Sequence, residues 1–142
     1  MSVPIERDVA TVWDDLQDIE SHTEWMQDAV AIRFLGPQKE GVGTRFECDT
    51  RVGPLRVTDV MEITAWDPGR RMGVVHTGVV SGTGEFTLHP RAQGGTEFRW
   101  DEELRFPWWL GGRLGEVGGA VVLRWIWRRN LARLKSRIER QR

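Results

Sequence analysis

Cysteine occurs once, at Cys48, which excludes an internal disulfide and a multi-cysteine metal site. No stretch approaches the roughly 18 consecutive apolar residues of a membrane-spanning helix. The opening residues lack a signal-peptide pattern, so a cytoplasmic location is expected. Internal repeats and linker-like segments are missing, and the 142 residues are expected to form a single domain, 1–142. The net charge is only −1, so no global field points to nucleic acid, and none is expected as a partner. Tyrosine is absent while tryptophan occurs eight times. Trp offers a wide apolar surface with one N–H donor, which suits flat or lipid-like ligands as well as plain packing.

Two catalytic patterns are missing as well. The glycines from Gly111 to Gly119 do not lead into a Lys-Ser/Thr ending, so they are not a phosphate loop. Val80-Ser81-Gly82 lacks the first glycine of a nucleophile elbow. No cofactor is expected.

What is present is dominated by the C-terminal stretch, Val117 to Arg142. Ala120, Leu123, Trp127, Leu131, Leu134 and Ile138 fall at three- and four-residue steps and define one stripe of an amphipathic helix. About 24 residues at 1.5 Å each give a helix about 36 Å long. Such a stripe needs cover, because an isolated amphipathic helix is marginal in water. Glycines 111, 112, 115, 118 and 119 each cost about 1 kcal/mol inside a helix. A loop or broken turn is therefore expected there, with the stable helix starting near Gly119. The helix is rich in arginine, whereas residues 1–30 carry eight acidic side chains against Arg7. Either the two ends attract weakly as solvated faces, or the basic face touches an anionic membrane or an acidic partner.

The rest of the chain reads mainly as strands. Asp8 is placed to cap a helix whose buried face is Val9, Val12, Trp13, Leu16 and Ile19. Residues 20–23 break that pattern, and Glu24-Trp25-Met26 reads as one more helical turn. Strands are then expected at 29–35, 44–52, 55–66, 71–77, 79–89 and 96–106. Phe46, Cys48, Thr50 and Val52 alternate against Arg45, Glu47, Asp49 and Arg51, the pattern of a sheet with one wet face. Leu55, Val57, Asp59, Met61 and Ile63 share a face, as do Met72, Val74 and His76. Phe98, Trp100, Glu102, Leu104 and Phe106 share another, while Trp66 is out of phase and is expected outside. Consecutive strands flanked by helices indicate an α+β fold with an antiparallel meander.

This order, with particular residues, resembles the START / Bet v 1-like (SRPBCC) superfamily, in its polyketide cyclase/dehydrase and lipid-transport group. Val12-Trp13-Asp14-Asp15-Leu16, Asp18-Ile19-Glu20 and Glu24-Trp25-Met26 look like its opening helix pair. Trp66-Asp67-Pro68-Gly69-Arg70-Arg71-Met72 is similar to its middle hairpin, and Gly95-Thr96-Glu97-Phe98-Arg99-Trp100 to its last strand. Leu131-Ala132-Arg133-Leu134-Lys135 resembles its closing helix. There are two departures. Thr23 stands where the family usually has proline, and the first strand reads several residues short, as if Met1 were a late start. The resemblance implies a helix-grip fold, a bent antiparallel sheet wrapped around the C-terminal helix over an apolar cavity, with two short helices after the first strand. It implies a small hydrophobic ligand (a lipid, polyketide or quinone-like molecule) or, as the alternative, a polyketide aromatase/cyclase-type enzyme using the same cavity.

The candidate site follows from phase. Phe46, Cys48, Met61 and Met72 are expected to line the cavity, with Trp100, Leu123 and Trp127 in phase beside them and Trp25 at the core or rim. Trp109, next to Trp108, either gates the mouth, touches a membrane or plugs the end of the core. Asp59, His76 and Glu102 are polar positions on apolar faces. They form a polar cluster for a ligand hydroxyl or carbonyl, or move protons with His76 as base, or reach solvent at a bulge. They lie on three separate strands with no metal-ligand spacing, so no metal is expected. Cys48 reads as a small buried hydrophobe. The oligomeric state is open.

Overall fold

The computed structural model describes the backbone of residues 1–110 and 112–141 and the side chains of 1–109 and 118–141. The chain runs β1 (Ser2–Ile5), α1 (Val9–Leu16), a 3-10 turn (Ile19–Glu24), β2 (Ala29–Phe34), β3 (Arg45–Val52), β4 (Leu55–Asp67), β5 (Arg71–Thr77), β6 (Ser81–Pro90), β7 (Thr96–Arg105), a second 3-10 turn (Trp108–Leu110) and α2 (Gly112–Arg140). The seven strands form one antiparallel sheet in the order β1-β7-β6-β5-β4-β3-β2. Strands β2 to β7 are a simple meander. The segment with α1 and the first 3-10 turn carries the chain from one edge of the sheet to the other. This is the helix-grip arrangement.

Local chemistry explains the elements. The Asp8 carboxylate accepts a hydrogen bond from the Thr11 amide at 2.8 Å and so caps α1. In the Asp67–Arg70 turn the Arg70 amide donates to the Asp67 carbonyl at 2.9 Å. Pro68 fits the second position there, and Gly69 takes φ +74° at the third, which makes the turn type II. The alternating faces meet in the core. Ile5, Val12, Leu16, Trp25, Phe98 and Leu134 are all essentially inaccessible. Each such aliphatic side chain contributes about 1.5–3 kcal/mol by burial.

Four expectations need correction. The helix expected to start near Gly119, after a loop or broken turn over 111–119, occupies Gly112–Arg140; Gly111 lies outside the described residues. Gly118 and Gly119 border the apolar cavity, Gly119 against the Phe106 ring, and the helix runs through both despite a propensity cost of about 1 kcal/mol per glycine. Residues 20–24 continue as a 3-10 turn, so the expected second helix is a single tight element ending before Trp25. Trp66 faces inward. A β-bulge shifts the register between Ile63 and Ala65, and Trp66 then pairs with inward-facing Met72. Its ring meets Trp13 edge-on at 5.4 Å between centroids. Finally, Ala120 is exposed, and the continuously buried face of α2 begins at Ile126.

The two oppositely charged ends are docked. Arg137 on α2 pairs with Asp15 at 2.9 Å and also with Glu24, and the Asp15 side chain is only 3% exposed. Arg7 donates to the carbonyls of Glu139 at 2.9 Å and Gln141 at 2.6 Å, and Lys135 donates to Pro4 at 2.6 Å.

Candidate ligand cavity

The sheet and the first half of α2 leave a cavity of about 330 Å³ between them. That lies within the range of small-molecule sites. Sheet register explains its lining, because directly opposed residues project to the same face. One row across the sheet is Phe46, Met61, His76, Gly82 and Leu104. The next is Ile63, Val74, Gly84 and Glu102. Cys48 opposes Asp59 in a third row. From the other side Leu123 and Trp127 of α2 complete the enclosure. The Trp127 ring lies 5.3 Å from that of Trp100.

Two glycines of β6 shape the polar part. His76 on β5 and Glu102 on β7 are separated by a whole strand, about 10 Å at the usual spacing. Gly82 and Gly84 place no side chain between them. A Cβ at Gly84 would stand 2.6 Å from Glu102 Oε1, so the carboxylate occupies space that only glycine leaves. As a result His76 Nε2 lies 3.3 Å from Glu102 Oε2. The angles do not make a hydrogen bond, and both atoms are buried without a partner. Glu102 Oε1 accepts from Trp100 Nε1 at 2.9 Å, which holds the carboxylate in place.

The remaining polar groups are anchored. Asp59 is 5% exposed and accepts from the Val80 amide at 3.4 Å. Burial pushes its carboxyl pKa up, against the opposing pull of the Val80 amide and the charge of His76. Cys48 is buried and its thiol is pushed up to about 11 by loss of solvent, so it acts as a small apolar residue. Among the described residues no three His, Cys, Asp or Glu side chains are grouped to hold a metal ion.

Ten of the twelve positions singled out from sequence line this one cavity: Phe46, Cys48, Asp59, Met61, Met72 and His76 from β3 to β5, Trp100 and Glu102 from β7, and Leu123 and Trp127 from α2. Trp25 is placed behind the wall, where it is fully buried against Phe86 and Trp100. Trp109 is placed outside: it is 56% exposed and Trp108 84%, so neither plugs the core. The 3-10 turn that follows Pro107 carries these rings past the end of the sheet.

Other lining residues were not singled out as site candidates from sequence, among them Asp28, His22 and Ile19. Asp28 precedes β2, and its carboxyl pKa is raised by burial and, more weakly, by the Glu102 charge, while a hydrogen bond from Asn130 opposes the shift. His22 donates from Nε2 to the Leu16 carbonyl at 2.8 Å, and burial lowers its pKa. Ile19, the last residue of the expected helical face, also reaches the cavity. Asn130, fully buried on α2, holds this corner together. Its Oδ1 accepts from the Gln27 amide at 2.9 Å and its Nδ2 donates to Asp28 at 2.7 Å. The only sequence signal was an Asn in phase with the apolar stripe.

Residues 1–139 match the family described as polyketide cyclase / dehydrase and lipid transport. The chain belongs to that family. Solved structures agree on the fold of this family member. A protein from Thermus thermophilus superposes with a TM-score of 0.77 at 17% identity, covering 97% of this chain and 94% of that one. The Zhui aromatase/cyclase from Streptomyces sp. R1128 gives 0.75 at 19% identity, covering 99% and 92%. A START superfamily protein from Mycobacterium smegmatis gives 0.72 at 12% identity, covering 100% and 97%. No curated protein matches the sequence. At these identities the likeness shows the fold, and the family member's ligand has to be argued from its own cavity.

Proposed function

We propose that the protein binds or carries a small hydrophobic molecule, lipid-, polyketide- or quinone-like, in the cavity between the sheet and α2. The observation that carries this reading is the 330 Å³ cavity with a mostly apolar lining and a few fixed polar groups. Apolar area removed from water supplies about 25 cal/mol per Å² before the costs of association, and the polar groups fix orientation. Trp127→Ala removes one aromatic wall. It is expected to weaken binding of a long-chain alcohol such as dodecanol about tenfold, read by fluorescence titration. Unchanged affinity would count against the cavity. The same space would serve the alternative, an aromatase/cyclase-type enzyme in which His76, Asp59 or Glu102 moves protons. Turnover of a poly-β-keto substrate that disappears in His76→Ala would shift the reading to that alternative.

A second observation favours peripheral contact with an anionic membrane. Trp108, Trp109, Val121 and Trp125 are exposed by 56–84%, and the exposed Arg124, Arg128 and Arg129 lie along the same helix segment as Trp125. Arg129 covers the Trp125 ring at 4.8 Å. Such a mixed aromatic and basic surface suits anionic headgroups. Vesicles containing phosphatidylserine are expected to retain the protein at low salt and release it at high salt. Absence of retention at low salt would remove this contact.

A further inference from the structure

The charge inside the cavity is one-sided. Asp28, Asp59 and Glu102 face it with carboxylates, and among the described residues no lysine or arginine lines it. Glu85 borders the same region, but its carboxylate pairs with Arg71 at 3.7 Å. Among the described lining residues only His22 and His76 can carry positive charge, against three carboxyl groups.

Most of these groups are already engaged. His22 is spent on the Leu16 carbonyl, Asp28 on Asn130 and Asp59 on the Val80 amide. What remains is Glu102 Oε2, beside His76 Nε2, with no hydrogen-bond partner. The Glu102 side chain is only 8% exposed. A buried carboxylate oxygen without an aligned donor is costly, and His76 Nε2, 3.3 Å away, is not aligned to donate, so a donor on a ligand completes the site.

We propose that the cavity takes an apolar ligand whose buried head is a protonated amine seated on Glu102, and that it discriminates against carboxylate-headed amphiphiles. This rests on the cavity-binding reading above and names the ligand's polar group. An ammonium brings N–H donors and a full positive charge to a place where three carboxylates already stand. A hydroxyl satisfies Oε2 but leaves the excess negative charge. A carboxylate head brings no donor to Oε2 and adds negative charge beside three carboxyl groups in a poorly solvated space. The one-sided charge is what separates these cases, because tail burial is common to all three.

The test holds the tail constant. Dodecylamine, dodecanol and dodecanoate are titrated at neutral pH below their aggregation limits, with the change in total tryptophan emission as readout. Dodecylamine is expected to bind at least about tenfold tighter than dodecanoate, with dodecanol between them. In Glu102→Gln, where Oε1 still accepts from Trp100, the amine-to-carboxylate ratio is expected to fall to within about threefold. The ratio is taken within one variant, so a general loss of folding lowers all three affinities together and leaves it legible. Dodecanoate binding as tightly as dodecylamine, or an amine preference unchanged in Glu102→Gln, overturns the proposal. If dodecanol binds and the amine has no advantage, only this proposal falls. If none of the three binds, the cavity reading falls and takes this one with it.

Discussion

Asn130→Ala is expected to cost about 2–4 kcal/mol of folding stability, measured by denaturant unfolding. Asn130 is fully buried near the middle of α2, and its amide is the bridge between that helix and the chain entering β2. Truncation leaves the Gln27 amide without an acceptor and the Asp28 carboxylate without its donor. A buried polar group stripped of its partner costs about 1–3 kcal/mol, more when it is charged. Asp28 is the more sensitive of the two, because burial already opposes its ionised form and the Asn130 hydrogen bond is the largest opposing influence. Arg128→Ala, at an exposed position two residues earlier, serves as the comparison and is expected to change stability by less than about 0.5 kcal/mol. A loss below about 1 kcal/mol in Asn130→Ala would show that this bridge does not hold the helix to the sheet.

Val74→Trp is expected to abolish ligand uptake without unfolding the protein. Val74 lies between Met72 and His76 on β5, opposite Ile63 on one side and Gly84 on the other. Val74 lines the cavity, so an indole at position 74 extends into the 330 Å³ space. In a filled core, such an enlargement forces neighbours off their rotamers at about 1–3 kcal/mol. Here the added ring meets cavity walls instead, and the thermal midpoint is expected to hold or rise. Affinity for dodecanol is expected to fall by at least about a hundredfold, or about 2.7 kcal/mol. Retained affinity together with an intact fold would place the ligand somewhere other than between β5 and α2.

The parts of the cavity that were legible in the sequence are those governed by strict two-residue alternation. Cys48, Asp59, Met61, His76, Trp100 and Glu102 all fall where their strand phase puts them. The same rule fails at Trp66, because one extra residue at the bulge exchanges the two faces, and nothing in Ile63-Thr64-Ala65 announces it. Propensity misplaced the start of α2, since a penalty of about 1 kcal/mol per glycine is local and a long helix runs through it. Asp28 and His22 sit in segments without a period, so no pattern assigns them a direction. That His76 and Glu102 meet across β6 depends on Gly82 and Gly84 standing in the row between them, a relation created by register over three strands. The exposure of Trp108 and Trp109 follows from the turn after Pro107, which periodicity does not describe.

Native mass spectrometry of solvent-extracted, refolded protein offered dodecanol, with Val74→Trp run in parallel, tests whether the space between the sheet and α2 is a binding site. A one-to-one complex is expected for the unsubstituted chain and none for Val74→Trp. Equal uptake by both, or no uptake by either while both are folded, would contradict that site.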